Sequence, residues 1–208
     1  IFPGEEITQS KEKIDMLAGN NSLGKNFIND PRIALWIVAN EPDINHPSNT
    51  PGAGISDMRD WCLEISDYIK TMDANVTIGN PRIEYYNDPA LVIPIIQEHV
   101  THFAWHWYGY ENAIEEQNNG GDPYNVSYEL LEGLYNKIIE QNVSLQKVII
   151  GEFGMRRDVG GTEETRGQYY SAAFQASVDY SISGVFPFTL FDIDIPGGIE
   201  PWGAVRLD

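Results

Sequence analysis

Five short runs of apolar residues recur along the chain, and longer segments with helical spacing separate them. The runs begin near residues 33, 76, 102, 147 and 184. Each run is continuously apolar and does not alternate between apolar and polar positions, which is typical of strands buried on both faces of a parallel sheet. The alternation of strand and helix therefore predicts an α/β fold in which helices cover the sheet.

The segments between the first runs predict helices. Residues 1–30 carry a weak helical pattern, and residues 88–99 predict a short helix with Pro89 in its first turn and a bend at Pro94. The clearest amphipathic helix has its apolar face at Met58, Trp61, Cys62, Ile65, Ile69 and Met72.

Two longer helices are predicted in the second half of the chain, after a polar stretch, residues 111–125, that we expect to be a loop. Ser127 is the predicted N-cap of the first helix, whose apolar face is Leu130, Leu131, Leu134 and Ile138. Thr162 is the predicted N-cap of the second. This second helix runs to about Tyr180 and is predicted to bury Tyr170, Phe174 and Val178.

Composition narrows the class of protein. The chain has 208 residues, of which 42% are hydrophobic, and this predicts one domain, residues 1–208, with a substantial core. Its formal charge of -18 argues against nucleic acid and anionic membranes as partners, because both bind basic surfaces. No apolar stretch approaches the roughly 20 residues of a membrane span. A single cysteine, Cys62, excludes an internal disulfide framework.

Polar side chains stand at the carboxyl ends of three predicted strands. Asn40 and Glu41 end the first strand, His106 and Tyr108 end the third, and Glu152 ends the fourth. Because parallel strands point the same way, these residues share one edge of the sheet, which is where a (β/α)8 barrel has its active site. The alternation of side chains along a strand also predicts that Glu41 shares its face with Ala39, Ile37 and Leu35.

Four segments of the chain resemble a known family. ALWIVANEP, HFAWHWYG, VIIGEFG and GVFPFTLFD resemble strands four, six, seven and eight of the clan A glycoside hydrolases. The likeness is closest to the cellulase- and mannanase-like family 5 enzymes, and it covers most of the chain in matching order and spacing. It implies a (β/α)8 barrel of which this chain carries strands four to eight.

The resemblance implies a retaining β-glycoside hydrolase that acts on cellulose- or mannan-type polysaccharides or oligosaccharides. Glu41 would be the general acid/base and Glu152 the nucleophile, and retention requires their carboxyl groups to lie about 5–5.5 Å apart. Tyr108 would donate a hydrogen bond to Glu152. Asn40 would bind the sugar 2-hydroxyl, and His106 would bind a substrate hydroxyl or orient a carboxylate.

Aromatic residues near the same edge are candidates for stacking on sugar rings. Trp107 and Phe188 are predicted to bind substrate, and Phe188 stands where the family commonly has tryptophan. Phenylalanine can stack on a sugar but lacks the indole N–H donor, so the sequence does not decide which sugar binds. Further candidates for stacking are Tyr110, Tyr85, Tyr86 and Trp202.

We expect neither a cofactor nor a metal. His102 and His106 lack a third nearby ligand, and His102 is interpreted as structural. Asp192 and Asp194, after the fifth strand, are interpreted as turn-forming residues.

The resemblance also implies three further βα units before the matched segment. They could belong to a longer chain, another molecule could supply them through self-association, or the five units could form an open half-barrel. Without a complement, we expect weak activity or none. The expected location is secreted or extracellular, although the chain carries no signal peptide of its own.

Other interpretations stay open. Glu41 could cap the loop that follows it, and Glu152 could pair with Arg156 or Arg157. A non-catalytic carbohydrate-binding or assembly-dependent barrel fragment would share the same groove and aromatic residues. A metal-dependent hydrolase on an α/β scaffold would instead lose its activity to chelators.

Overall fold

The computed structural model describes residues 7–19, 27–28, 30–42, 55–81, 88–188, 193–195 and 198–200. The chain forms two compact units, Ile1–Ala104 and Trp105–Asp208. The helices are α1 Ile7–Ala18, α2 Ile55–Lys70, α3 Pro89–Ile96, α4 Tyr110–Asn118, α5 Pro123–Glu140 and α6 Glu163–Asp179. The strands are β1 Trp36–Asn40, β2 Val76–Gly79, β3 Phe103–Trp107, β4 Val148–Phe153, β5 Gly184–Pro187, β6 Ile193–Ile195 and β7 Gly198–Glu200. A short 3-10 helix, Leu145–Lys147, precedes β4.

The strands β1 to β5 follow one another in the sheet in chain order. In the first unit, β1 pairs with β2 in parallel, with Trp36 opposite Val76, and β2 pairs with β3 through Gly79 and Ala104. In the second unit, β4 pairs with β5, also in parallel. This sheet, whose strands alternate with helices, confirms the predicted α/β fold.

The core of the first unit joins α1 and α2 to the adjoining strands. Its buried residues are Ile14, Ile28, Ile65, Ile69, Ala74 and Val76. The predicted apolar face of α2 is the buried one, since Met58, Cys62, Ile65 and Ile69 are all at most 9% exposed. Helix α3 begins at Pro89 as predicted, and the Asp88 carboxylate accepts a hydrogen bond from Ala90 N at 3.0 Å.

The core of the second unit is rich in large side chains. Those that are almost fully buried include Trp105, Leu131, Tyr135, Ile150, Phe153, Met155 and Tyr169. Helices α5 and α6 are joined by a hydrogen bond between Tyr135 Oη and Ser177 Oγ at 3.2 Å. Burial of each large apolar side chain favours folding by about 1.5–3 kcal/mol, so this packing holds β3 and β4 firmly.

The buried face of α6 differs from the predicted one. Tyr170 is buried as expected, but Phe174 and Val178 are 43% and 70% exposed. The other buried residues of this face are Thr165, Arg166, Tyr169, Ala172, Ala173, Ala176 and Ser177. The prediction was wrong for Phe174 and Val178 because the helix is rotated so that its buried face passes through Tyr169, Ala173 and Ala176.

Residues 110–118 form helix α4, where a loop was predicted. The segment contains Ala113 and several glutamate and glutamine residues, all of which favour helix, and Ala113 is fully buried. The polar character of the segment concealed this propensity. The helix ends before Gly120, which has a positive φ of 76°.

Asp122, and not Ser127, is the N-cap of α5. The Asp122 carboxylate accepts a hydrogen bond from Tyr124 N at 3.0 Å, and Pro123 occupies the first turn, where a missing N–H costs nothing. Ser127 lies inside the helix and donates to Pro123 O at 2.7 Å. The predicted cap of α6 is confirmed, since Thr162 Oγ1 accepts a hydrogen bond from Thr165 N, at the third position of the helix, at 3.0 Å.

The last described strands form a small antiparallel pair. Asp194 of β6 lies opposite Ile199 of β7, so it belongs to a strand and not to the predicted turn. Among the helices that the structure describes, none combines the length and the apolar character needed to cross a membrane.

Candidate active site

In the second unit, the end of β3 brings two polar side chains against Glu152 of β4. Tyr108 Oη donates a hydrogen bond to Glu152 Oε2 at 2.7 Å. His106 Nδ1 lies 3.3 Å from the same oxygen. The side chain of His106 is 3% exposed and that of Glu152 is 21% exposed. A mostly buried pair of groups therefore orients a carboxylate that solvent can still reach.

Both contacts act on the ionised carboxylate. A tyrosine hydroxyl can donate one hydrogen bond, and the contact from His106 is attractive when Nδ1 carries the proton. A hydrogen bond to a charged acceptor is worth about 1.5–3 kcal/mol, so the Tyr108 contact is strong enough to fix the orientation of the Glu152 side chain.

Trp107, between His106 and Tyr108, packs against α6. Its indole stacks on the ring of Tyr169, with centroids 4.7 Å apart and planes 7° apart. Gly109 permits this arrangement, because a Cβ there would lie 2.9 Å from Trp107 Nε1. Tyr169 covers one face of the indole, so at most the other face can stack on a sugar.

In the first unit, Glu41 follows β1 with a left-handed backbone, at a φ of 43°. Its N–H donates to Gly79 O at 2.7 Å, and Asn80 Nδ2 donates to Glu41 Oε1 at 3.4 Å. Asn80 follows β2, is left-handed as well at a φ of 44°, and is 3% exposed. A glutamate in this conformation costs of order 1 kcal/mol or more, so packing must hold the turn that sets Glu41 beside Asn80.

Asn40 ends β1 and is exposed. The register between β1 and β2 shifts between Ile37 and Asn40, an irregularity that redirects the following side chains. Ala39 is 7% exposed but Ile37 is 53% exposed. The predicted common face beneath Glu41 is therefore not uniformly buried, because the shifted register and the left-handed turn interrupt the alternation.

The aromatic candidates have different places in the fold. Phe188 follows β5, and its N–H donates to Phe153 O at 2.7 Å. Tyr110 begins α4 and is partly buried. Tyr85, Tyr86 and Trp202, together with Asp192, lie outside the described residues.

The two arginines after β4 have carboxylate partners near them in sequence. Arg156 Nη2 lies 2.6 Å from Asp158 Oδ2, and Arg157 Nε lies 3.3 Å from Glu163 Oε1. The Arg156 pair holds the pKa of Asp158 below its usual value. These pairs brace the loop that joins β4 to α6.

The histidines of the third predicted strand differ in their contacts. His102 Nδ1 lies 3.0 Å from Thr101 Oγ1, which is consistent with the structural role expected of it. His106, by contrast, contacts the Glu152 carboxylate.

The sequence profile described as GH family 5 beta-mannosidase-like matches residues 8–186, which include Glu41, His106, Tyr108 and Glu152. The chain belongs to glycoside hydrolase family 5. No curated protein matches it.

Solved structures of other glycoside hydrolases share the fold of this family 5 chain. A family 5 mannosidase from Rhizomucor miehei is 21% identical with a TM-score of 0.56, and the match covers 86% of this chain and 45% of that one. An endo-1,4-beta-D-mannanase from Thermotoga petrophila is 16% identical with a TM-score of 0.59, covering 95% and 60%. An endoglucanase from Thermotoga maritima is 13% identical with a TM-score of 0.56, covering 93% and 59%.

The chain thus spans about half the length of the solved structures it matches, from 45% to 60% in these examples. At these identities the likeness concerns the fold. It confirms the predicted (β/α)8 barrel type and the prediction that this family 5 chain corresponds to part of the barrel.

Sequence reasoning missed two residues that the structure places at the candidate site. Asn80 directly follows the strand VTIG, so the rule that polar groups stand at strand ends could have found it. Tyr169 gave no comparable signal. It is adjacent to Tyr170, and the rotation of α6 decides which of the two rings meets Trp107.

Proposed function

We propose that this chain is the part of a retaining β-glycoside hydrolase that carries both catalytic carboxylates. The substrates would be β-linked mannan- or cellulose-type polysaccharides or oligosaccharides. Membership of family 5 supports hydrolysis of glycosidic bonds. The observation that carries the proposal is the contact of Tyr108 and His106 with one oxygen of Glu152, at 2.7 and 3.3 Å.

Glu152 is the proposed nucleophile. Its Oε1 attacks the anomeric carbon while Oε2 stays bound to Tyr108 and His106, and the bond from that carbon to the leaving oxygen breaks. Glu41 gives a proton to the leaving oxygen in this step. It then takes a proton from the water that hydrolyses the glycosyl-enzyme and releases the sugar with retained configuration. The mechanism requires a separation of about 5–5.5 Å between the two carboxyl groups.

The surroundings of Glu41 fix its side chain and its backbone. The Asn80 amide donates to Oε1 and so orients the carboxyl group without adding a charge. The strained left-handed backbone of Glu41 is also a feature that clusters at functional sites. Asn40, the preceding residue, would bind the sugar 2-hydroxyl.

A β-mannoside is the proposed first substrate. The matching profile is described as beta-mannosidase-like, and the Rhizomucor miehei mannosidase has been solved in complex with mannosyl-fructose. Trp107 would offer one indole face to a sugar ring, and Phe188 a second aromatic surface.

Hydrolysis of aryl β-mannosides and β-glucosides tests this function. E152Q and E41Q are each expected to lower turnover by roughly 10³-fold or more, because each removes a group that acts in the transition state. E129Q, at an exposed position of α5, is the matched control. Turnover that survives both catalytic substitutions would refute the proposal.

A mechanism-based fluorosugar separates the enzyme from a carbohydrate-binding fragment. A hydrolase forms a stable glycosyl-enzyme, and peptide mapping would place the added mass on Glu152. Sugar binding by calorimetry without any covalent label would favour the non-catalytic alternative.

We also propose that the protein works outside the cell, because polysaccharide substrates are found there. Fractionation of the source culture checks this location. Recovery of the protein from the medium is the expected result, and its confinement to the cells would contradict the proposal.

A further inference from the structure

The buried face of α6 reaches the strand end that carries Tyr108. Tyr169 is fully buried, and its hydroxyl donates a hydrogen bond to Trp107 O at 3.1 Å. Its ring stacks on the Trp107 indole. Since Trp107 immediately precedes Tyr108, this helix holds the backbone from which the Tyr108 side chain extends.

The same tyrosine contacts the chain that follows Glu152. The backbone of Gly154 lies near enough to the Tyr169 hydroxyl to act against the rise in its pKa. The Tyr169 ring also lies 6.3 Å, centroid to centroid, from the ring of Phe153. Tyr169 therefore donates a hydrogen bond to the end of β3 and packs its ring near Phe153 at the end of β4, and so it bridges the two.

Two neighbours on α6 strengthen the β4 side of this bridge. Met155 N donates to Tyr170 Oη at 3.4 Å, and Arg166 Nη1 donates to Met155 O. Both of these contacts are to the chain just after Glu152. Burial raises the pKa of Tyr169 well above the value of a free tyrosine, so its hydroxyl keeps the donor proton at any pH used for an assay.

We propose that Tyr169 is a positioning residue that sets the hydrogen bond between Tyr108 and Glu152 by bridging the ends of β3 and β4. The inference rests on the proposed function, in which Glu152 is the nucleophile. Loosening the bridge lets the end of β3 move relative to β4. The Tyr108 hydroxyl, now 2.7 Å from Glu152 Oε2, then binds the carboxylate less well.

In the second unit, the titratable groups that the structure places against the Glu152 carboxylate are Tyr108 and His106. Both belong to the strand end that Tyr169 holds. A change in their distance alters how readily Glu152 takes up a proton, and this can be measured without turnover.

The test compares Y169F with Y135F. Both tyrosines are fully buried in the second unit, and the hydroxyl of Tyr135 bonds Ser177, away from β3 and β4. Glutamate is labelled with ¹³C at the carboxyl group, and E152Q identifies the resonance of Glu152. We expect Y169F to move the midpoint of the Glu152 titration to higher pH by about half a unit or more, because a weaker donor stabilises the ionised carboxylate less. Y135F should leave the midpoint at its wild-type value.

Y108F is a second variant that leaves the buried face of α6 intact. It should move the midpoint at least as far as Y169F, and adding Y169F to Y108F should move it no further, since both act through one hydrogen bond. Equal shifts from Y169F and Y135F, a wild-type midpoint in Y169F, or a fully additive double variant would each overturn the inference.

Kinetics provide a separate measurement. On an aryl β-mannoside, Y169F should lower kcat by about 3–10-fold with little change in KM, whereas Y135F should change neither, because positioning of the nucleophile acts on the transition state. A fall in kcat in Y169F that Y135F matches would contradict the positioning role. Full turnover in E152Q would refute the proposed function instead, and the titration would still decide whether Tyr169 sets the Tyr108–Glu152 contact.

Discussion

The pairing of Glu41 with Asn80 leads to a prediction that needs no substrate. Asn80 is 3% exposed, and its Nδ2 donates to Glu41 Oε1 at 3.4 Å. Asn80→Asp keeps the size of the side chain and tolerates the left-handed φ of 44°. It replaces the amide donor with a second carboxylate, so two negative charges would face each other near the end of β1.

The size of the effect follows from this distance. Two unit charges 3.4 Å apart repel by about 5 kcal/mol at an effective dielectric constant of 20. The pair can avoid the repulsion by holding one proton. Keeping a carboxyl group with an ordinary pKa near 4 protonated costs about 4 kcal/mol at pH 7 and about 1.4 kcal/mol at pH 5. Because Glu41 is partly exposed, we expect a loss of roughly 2–4 kcal/mol at pH 7 and about 1 kcal/mol at pH 5.

Thermal unfolding followed by circular dichroism between pH 5 and 8 measures this loss. The folded N80D variant binds more protons than the unfolded chain, so its stability should fall as pH rises over this range. At pH 7 the Tm should drop by about 5–15 °C, given about 2–4 °C for each kcal/mol in a chain of this length.

Asn80→Gly is the matched control. Glycine accepts the left-handed backbone and removes the amide donor without adding a charge. Its loss of stability should be nearly constant between pH 5 and 8. Parallel curves of stability against pH for N80D and N80G over this range would show that a carboxylate at position 80 does not interact with Glu41. That result would refute the reasoning.

Three further changes test other parts of the chain. Tyr108→Phe removes the hydrogen bond to Glu152. Since this bond is to a charged group, we expect kcat/KM on an aryl β-mannoside to fall by about 10–100-fold. Tyr124→Phe on α5 is the control, and equal values of kcat/KM in the two variants would contradict the role of the Tyr108 hydroxyl. Asp122→Ala removes the N-cap of α5. The loss of about 1 kcal/mol of stability should lower the Tm by about 2–4 °C, and Asp122→Ser should recover most of this decrease. An unchanged melting curve would show that the cap contributes nothing to stability. Burial raises the pKa of Tyr135 to about 12. Between pH 10 and 12 the unfolded chain therefore loses a proton that the folded chain keeps, and the free energy of unfolding should decline by up to roughly 2–3 kcal/mol over this range. Urea unfolding at pH 9 and 11.5 should show a smaller decline in Tyr135→Phe, and an equal decline would count against the burial effect.

Much of the fold was predictable because its causes are local. Continuous apolar runs identified β1 to β5, and the cap at Thr162 and the start of α3 at Pro89 follow from residue chemistry within one turn. Segment 110–118 was missed although its cause is also local, because polarity was weighed above helix propensity. The exposed Phe174 and Val178 show the limit of local patterns, since packing against a neighbouring helix selected the alanines of α6.

The candidate site divides in the same way. The order of residues was enough to identify the polar groups at the strand ends, since an apolar run that stops at Asn40 and Glu41, or at Glu152, can be recognised in the sequence. It also pointed to the family, through segments such as ALWIVANEP and VIIGEFG that keep their order.

How those residues are held depends on contacts between distant parts of the chain. The left-handed turns at Glu41 and Asn80 depend on the register of β1 against β2, and the bridge from Tyr169 depends on the rotation of α6 over β3 and β4. Register and helix rotation are set by contacts between residues far apart in the chain, and a local pattern of apolar and polar positions does not encode them.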